Sequence, residues 1–217
     1  MANNGALAPS TRSGRNMNET TATAQSRRGF LGKAALLGGG ALAAGGLGAF
    51  AEAARAQSAP ASDLAILNFA LTLEYLEAEF YDRARQGDFG NLNTGVQRFA
   101  EVLYSHEQAH VDTLNATIPA LGGTPVRKPA LKFPKLTQKT FVRTAIVLEQ
   151  TGVGAYGGAF PSLKLKAVKE AALAIHSVEA RHAAYARLVA GTLPANVAFF
   201  SPLTKEQVLK RAAPFFA

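Results

Sequence analysis

Glu107 and His110 stand three residues apart, and so do Glu179 and His182, in a chain with only four His. Each pair has a lone Glu upstream on a separate apolar segment, Glu74 and Glu149. Positions three apart share one face of a helix, so a Glu oxygen and a His nitrogen can reach one inward point. Two helices doing this, opposite two that each supply a Glu, assemble four carboxylates and two imidazoles. That is the donor set of a two-metal carboxylate centre inside a four-helix bundle. Four carboxylates balance two divalent cations, and mixed oxygen and nitrogen donors suit iron or manganese, with zinc as a further option. A single Glu-x-x-His is more often a surface ion pair or a cap. The second copy, with matching upstream Glu and Tyr, is what points to a site.

Four helices must position these groups. The sequence predicts the first over 63–85, with Ser62 or Asp63 as N-cap and Leu64, Leu67, Leu71 and Leu76 near one face. The second runs over 94–118, with Phe99, Leu103, Val111 and Leu114 at helical spacing and Pro119 ending it. The third runs from about 137 to 159. The fourth runs from 161 or 162 to 189, with Pro161 in its first turn. The first and third connections are short and join antiparallel neighbours. The middle one, 119–136, carries Pro119, Pro125, Pro129, Pro134 and Gly122-Gly123, and is long enough to cross the bundle. The fold class is therefore all-α: a four-helix bundle with one long crossover between helices 2 and 3. Thr204 with Gln207 reads as a capping box opening a short C-terminal helix. The halves echo each other, since Glu74 precedes Tyr81 by seven residues and Glu149 precedes Tyr156 by seven.

The run Leu67 to Glu74 with Tyr81 resembles the first helix of bacterioferritin. The segments His106 to His110 and Glu179 to His182 resemble its two Glu-x-x-His segments, and Leu148-Glu149 takes the third-helix position. The chain, over roughly 62–190, thus resembles the ferritin-like superfamily, in its exported bacterial branch related to desiccation-associated proteins. That resemblance implies Glu74, Glu107, His110, Glu149, Glu179 and His182 as ligands of two iron ions, alternatively manganese, and a centre that handles dioxygen or peroxide. The activity it implies is oxidation of Fe(II) or reduction of peroxide under oxidative or desiccation stress. The alternatives are a non-catalytic metal-binding or protective bundle and a manganese catalase-like enzyme. No haem is expected, because the family's haem-binding Met cannot be placed: Met1 and Met17 lie in the leader.

The surrounding residues divide less cleanly. Tyr81 and Tyr156 lie two turns from Glu74 and Glu149, and either hold the carboxylates, quench oxidants or simply pack. Glu77 reads as a surface partner of an Arg rather than an extra ligand. His106 points about 100° away from Glu107 and is not expected to ligate. His176 reads as a partly buried structural His. Gly152, Gly154, Gly157 and Gly158 in the third helix call for close helix packing, a bulge or access. Phe199-Phe200 and Phe215-Phe216 are expected to pack over the bundle end, with a dimer or membrane-surface contact as the alternative.

Residues 1–56 read as a leader. Ser26-Arg27-Arg28-Gly29-Phe30-Leu31 resembles a twin-arginine export signal, followed by a soft Gly- and Ala-rich run and the Ala54-Arg55-Ala56 cleavage pattern. Residues 1–25 are polar and read as disordered. The expected domains are this leader, a bundle over 57–190 and a tail over 191–217. The expected partners are the export translocase, metal ions, dioxygen or peroxide and, as an option, a second copy in a homodimer. The expected location is periplasmic or secreted, with an uncleaved membrane anchor as the alternative. Much of the formal charge of +8 belongs to the leader. The basic cluster at Arg127, Lys128, Lys132, Lys135, Lys139 and Arg143 lacks interleaved aromatics, so no nucleic-acid partner is expected. The absence of Cys excludes disulfides, thiolate metal sites and thiol catalysis.

Overall fold

Hydrophobic residues at helical spacing fold here into four long helices and a short fifth. The structure, a computed structural model, describes residue 1 and residues 59–217. The export signal lies outside the described residues. The helices are α1 Ala61–Gln86, α2 Thr94–Ala120, α3 Gln138–Ala159, α4 Lys166–Val189 and α5 Lys205–Ala212, with single 3-10 turns at Phe160–Ser162 and Ala213–Phe215. No strand occurs among the described residues, and no helix among them is long and apolar enough to cross a membrane.

Local chemistry sets the ends. Gly87 closes α1 in the left-handed region at φ 89°, and the N–H groups of Gly87 and Asp88 cap the last carbonyls. The Asn93 side chain accepts from the Val96 N–H to open α2. Thr137 with Thr140 and Thr204 with Gln207 form capping boxes at α3 and α5. Two expected starts are displaced. Asp63 does not cap α1, which begins two residues earlier. Its fully buried carboxylate accepts instead from the Lys164 and Leu165 N–H groups, at 2.9–3.1 Å, in front of α4. The fourth helix accordingly begins at Lys166, not at 161 or 162. Pro161 sits in the 3-10 turn, and the chain then extends through buried Leu163 so that Asp63 can reach its N–H groups. The second helix also ends two residues later than expected, at Ala120, because Pro119 falls in its last turn.

The core divides into two apolar clusters, and the order in which each helix visits them gives the topology. One is aromatic: Phe80, Tyr81, Phe89, Phe99 and Phe141 with Leu103, Val142 and Ala186. The other is aliphatic: Leu67, Leu71, Leu114, Ile118, Leu163, Val168 and Ile175. α1 and α4 run from the aliphatic to the aromatic cluster, whereas α2 and α3 run the other way. Consecutive helices α2 and α3 are therefore parallel, and their connection must return along the whole bundle. It does so against α1, where the Asn68 amide donates to the Thr124 carbonyl and accepts from the Val126 N–H. Lys128 pairs there with Glu79.

The C-terminal tail explains most of the glycines in α3. The Leu203 N–H donates to the Gly154 carbonyl at 2.9 Å. A Cβ at Gly158 would lie 2.0 Å from the Leu203 carbonyl oxygen, and one at Gly154 would lie 2.5 Å from the Leu203 side chain. The close approach is thus made by the tail and not by a neighbouring helix. Gly158→Ala gains roughly 1 kcal/mol of helix propensity but collides with backbone that cannot rotate away. Net destabilisation of about 1–3 kcal/mol is expected, read as a lower urea midpoint. Of the tail aromatics, Phe215 and Phe216 pack onto the aromatic cluster beside Phe133 and Leu131. Phe199 is 88% exposed and does not cover the bundle end.

Candidate metal centre

Between the two apolar clusters each of the four long helices interrupts its hydrophobic face with acid. Glu74, Glu107, Glu149 and Glu179 are fully buried, and His110 and His182 nearly so. Placing four carboxylates in a dry interior is very costly unless cations or protons accompany them.

The geometry divides the six side chains into two overlapping groups. Glu74, Glu107, His110 and Glu179 can each offer an atom within 4.8 Å of the others, and so can Glu107, Glu149, Glu179 and His182. His110 Nδ1 lies 3.1 Å from Glu74 Oε2, 2.9 Å from Glu107 Oε2 and 3.1 Å from Glu179 Oε1. His182 Nδ1 lies 2.7 Å from Glu107 Oε1, 3.3 Å from Glu149 Oε2 and 4.0 Å from Glu179 Oε2. Glu107 and Glu179 therefore turn one oxygen to each imidazole and belong to both groups, whereas Glu74 and Glu149 each belong to one. The structure brings all six sequence-predicted residues together.

Whether this set suits metal ions is tested by its unsatisfied atoms. Glu107 Oε1, Glu149 Oε2, both Glu179 oxygens and His182 Nδ1 are buried and form no well-aligned hydrogen bond. Glu107 Oε1 and His182 Nδ1 are only 2.7 Å apart, yet they point past each other. Buried polar atoms are normally paired, so lone pairs converging in this way fit a pair of cations.

The two tyrosines tie the halves together. Tyr81, on the helix of Glu74, donates its hydroxyl to Glu149, and Tyr156, on the helix of Glu149, donates to Glu74. Burial pushes both phenols well above their ordinary range, with the neighbouring carboxylates adding to it, so both remain donors. Of the roles open to them, holding carboxylates is the one the contacts favour, and each holds that of the opposite half.

Protons take up part of the charge in the metal-free protein. Burial, against the pull of His110, raises Glu74 to about 7. Burial and the charges of Glu107 and Glu74 push Glu179 well above the carboxylate range, and Glu149 is also raised, chiefly by burial. Burial acts in the same direction on Glu107, but contact with His110 and His182 overrides it and holds this carboxyl far below its usual range. Burial disfavours charge on the histidines, yet the surrounding carboxylates raise His182 to about 10 and His110 well above its ordinary value.

Two residues depart from the expectation. His106, set aside by its angle on the helix, places Nδ1 2.9 Å from His182 Nε2, with the rings stacked at 5.1 Å. It holds the outer nitrogen of a candidate ligand, the usual arrangement around a metal-bound His. Glu77 is not a surface partner of an Arg, because it is 3% exposed and inside the bundle. In contrast, His176 is half-buried as expected and packs edge-on against Phe200. The signal for His106 lay in the α2–α4 contact and that for Glu77 in Gly152 across the bundle, neither of which periodicity along one helix reveals.

Residues 62–192 match the family model of a ferritin-like domain. No curated protein matches the chain.

Proposed function

The chain belongs to the ferritin-like domain family, and on that premise we propose that its buried cluster holds two first-row metal ions used against dioxygen or peroxide. The observation that carries this reading is the placement of Glu107, which offers one oxygen beside His110 and the other beside His182. Glu107 and Glu179 would help to hold both ions, Glu74 with His110 would complete the donors for one, and Glu149 with His182 those for the other. The oxygen-rich, thiolate-free donor set favours iron, with manganese as the alternative. When bound, the pair supplies electrons to the oxidant, or Fe(II) is itself the substrate that gives them up.

The chain's own residues define the rest. Tyr156 and Tyr81 hold Glu74 and Glu149 in place with hydroxyl donors. The two apolar clusters exclude bulk water above and below the centre, which strengthens its electrostatics. His106 orients His182 and reaches partly exposed surface. Loss of such an outer partner typically costs 10–100-fold in metal affinity. His106→Ala is accordingly expected to weaken binding by about tenfold at the His182 position only, read by Co(II) titration.

The decisive assay is Fe(II)-dependent oxygen or peroxide consumption by protein of known metal content. Turnover that disappears in a Glu107→Ala, His110→Ala double variant supports the proposal. Two tightly held ions without turnover would instead mark a binding or protective protein, and rapid oxygen evolution from peroxide after manganese loading would mark a catalase. We further place the protein outside the cytoplasm, on the support of the Arg27-Arg28 signal and the Ala54-Arg55-Ala56 pattern. N-terminal sequencing of exported protein is expected to begin at Gln57. Recovery of the intact leader would contradict cleavage.

A further inference from the structure

A fifth carboxylate, Glu77, enters the bundle interior beside the four already assigned, and its place depends on an asymmetry between the halves. Counting three residues on from Glu74 reaches Glu77, whereas three on from Glu149 reaches Gly152. A Cβ at Gly152 would lie 3.0 Å from Glu179 Oε2 and 3.5 Å from Glu77 Oε1. The two carboxyl groups thus share the space that a side chain at 152 would fill. The half lacking a side chain accommodates the carboxyl of the other.

Glu77 is 3% exposed and lies inside the bundle. Burial pushes its pKa well above the usual range, and repulsion from Glu179, Glu149, Glu107 and Glu74 adds to it. Carboxylates crowded together in a dry interior are costly unless cations or protons accompany them. Beside Glu77, both oxygens of Glu179 are buried without a hydrogen-bond partner. A cation between them would satisfy both groups.

We propose that Glu77 is a seventh ligand of the metal pair, approaching from the Glu179 side through the gap left by Gly152. The inference rests on the metal-binding reading above. It has a consequence for charge: four carboxylates neutralise two divalent ions, and a fifth leaves a negative excess that one ion of higher charge would remove.

Co(II) titration followed by visible absorption tests it, after circular dichroism has shown each variant to be helical. In Glu77→Gln, which keeps the volume and removes the charge, one of the two Co(II) ions is expected to bind at least about tenfold more weakly. The Co(II) absorption bands should also change as one donor is lost. Glu77→Asp keeps the charge on a shorter arm and should fall between the two, and it decides the matter if Glu77→Gln does not fold. Wild-type and variant titrations and spectra that superimpose would overturn the ligand role while leaving the metal site intact. A wild-type protein that binds no Co(II) would overturn both.

Discussion

Glu107→Ala is expected to abolish metal binding at both positions, lowering content from about two ions per chain to near none. The reason is topological. Glu107 belongs to both donor groups, and its two oxygens face different imidazoles. Glu74→Ala and Glu149→Ala each remove a donor from one group only, so each should retain about one ion per chain. Elemental analysis of the three purified variants reads the difference. Equal losses in all three would mean that the groups are not organised around shared carboxylates. The metal-free Glu107→Ala protein should also be less stable, by about 3–5 kcal/mol near neutral pH, because two buried imidazolium groups lose their common partner. Glu107→Gln, which preserves volume, separates lost charge from a cavity.

Metal affinity is expected to rise steeply with pH from 6 to 9. In the metal-free site Glu74 titrates near 7, burial raises Glu179 above the usual carboxylate range, and at neutral pH His182 and His110 carry protons. Ligation requires their removal, and each proton displaced makes affinity rise about tenfold per pH unit. At least two protons per chain should be released at pH 7, which calorimetry in buffers of different ionisation enthalpy measures directly.

Stability of the metal-free protein should run the opposite way. His182 is raised from 6.5 to about 10, so its contribution is complete below pH 6.5 and is lost as pH climbs toward 10. Glu74 is raised from 4.5 to about 7, so its ionisation in the folded state is penalised increasingly above pH 4.5. Both effects lower the melting temperature of metal-free protein between pH 6 and 9. Glu107, held below its ordinary value, adds a loss only on the acid side. Metal at 100 times its dissociation constant adds about 2.7 kcal/mol per site, so the gap between loaded and metal-free protein should widen with pH. A gap that narrows would mean the histidines are not ligands.

The residues legible in the sequence were those whose role depends on spacing along one helix. The doubled Glu-x-x-His placed Glu107, His110, Glu179 and His182 on two inward faces, and Glu74 and Glu149 followed from the repeated Tyr seven residues on. Loop lengths gave the parallel α2 and α3, because a short link cannot return across a bundle. What was hidden depends on groups far apart in the chain. Asp63 has N-cap character in sequence, but its carboxylate serves N–H groups about a hundred residues away. Glu77 looked like half of a helix-surface ion pair until Gly152 is seen to open room for it. His106 lies off the ligand face of α2, yet α4 packs close enough for its ring to meet His182. The glycines of α3 leave close packing, a bulge and access open in the sequence, because periodicity does not show that the last residues of the chain fold back onto Gly154, Gly157 and Gly158.

The central claim is that six side chains, grouped about Glu107 and Glu179, share two metal ions in the middle of the bundle. Anomalous X-ray scattering from metal-loaded crystals, recorded at the iron or manganese edge, tests it most directly. Two peaks are expected, each flanked by one imidazole and both touching the two shared carboxylates. No peak inside the bundle, or peaks confined to its surface, would contradict the claim.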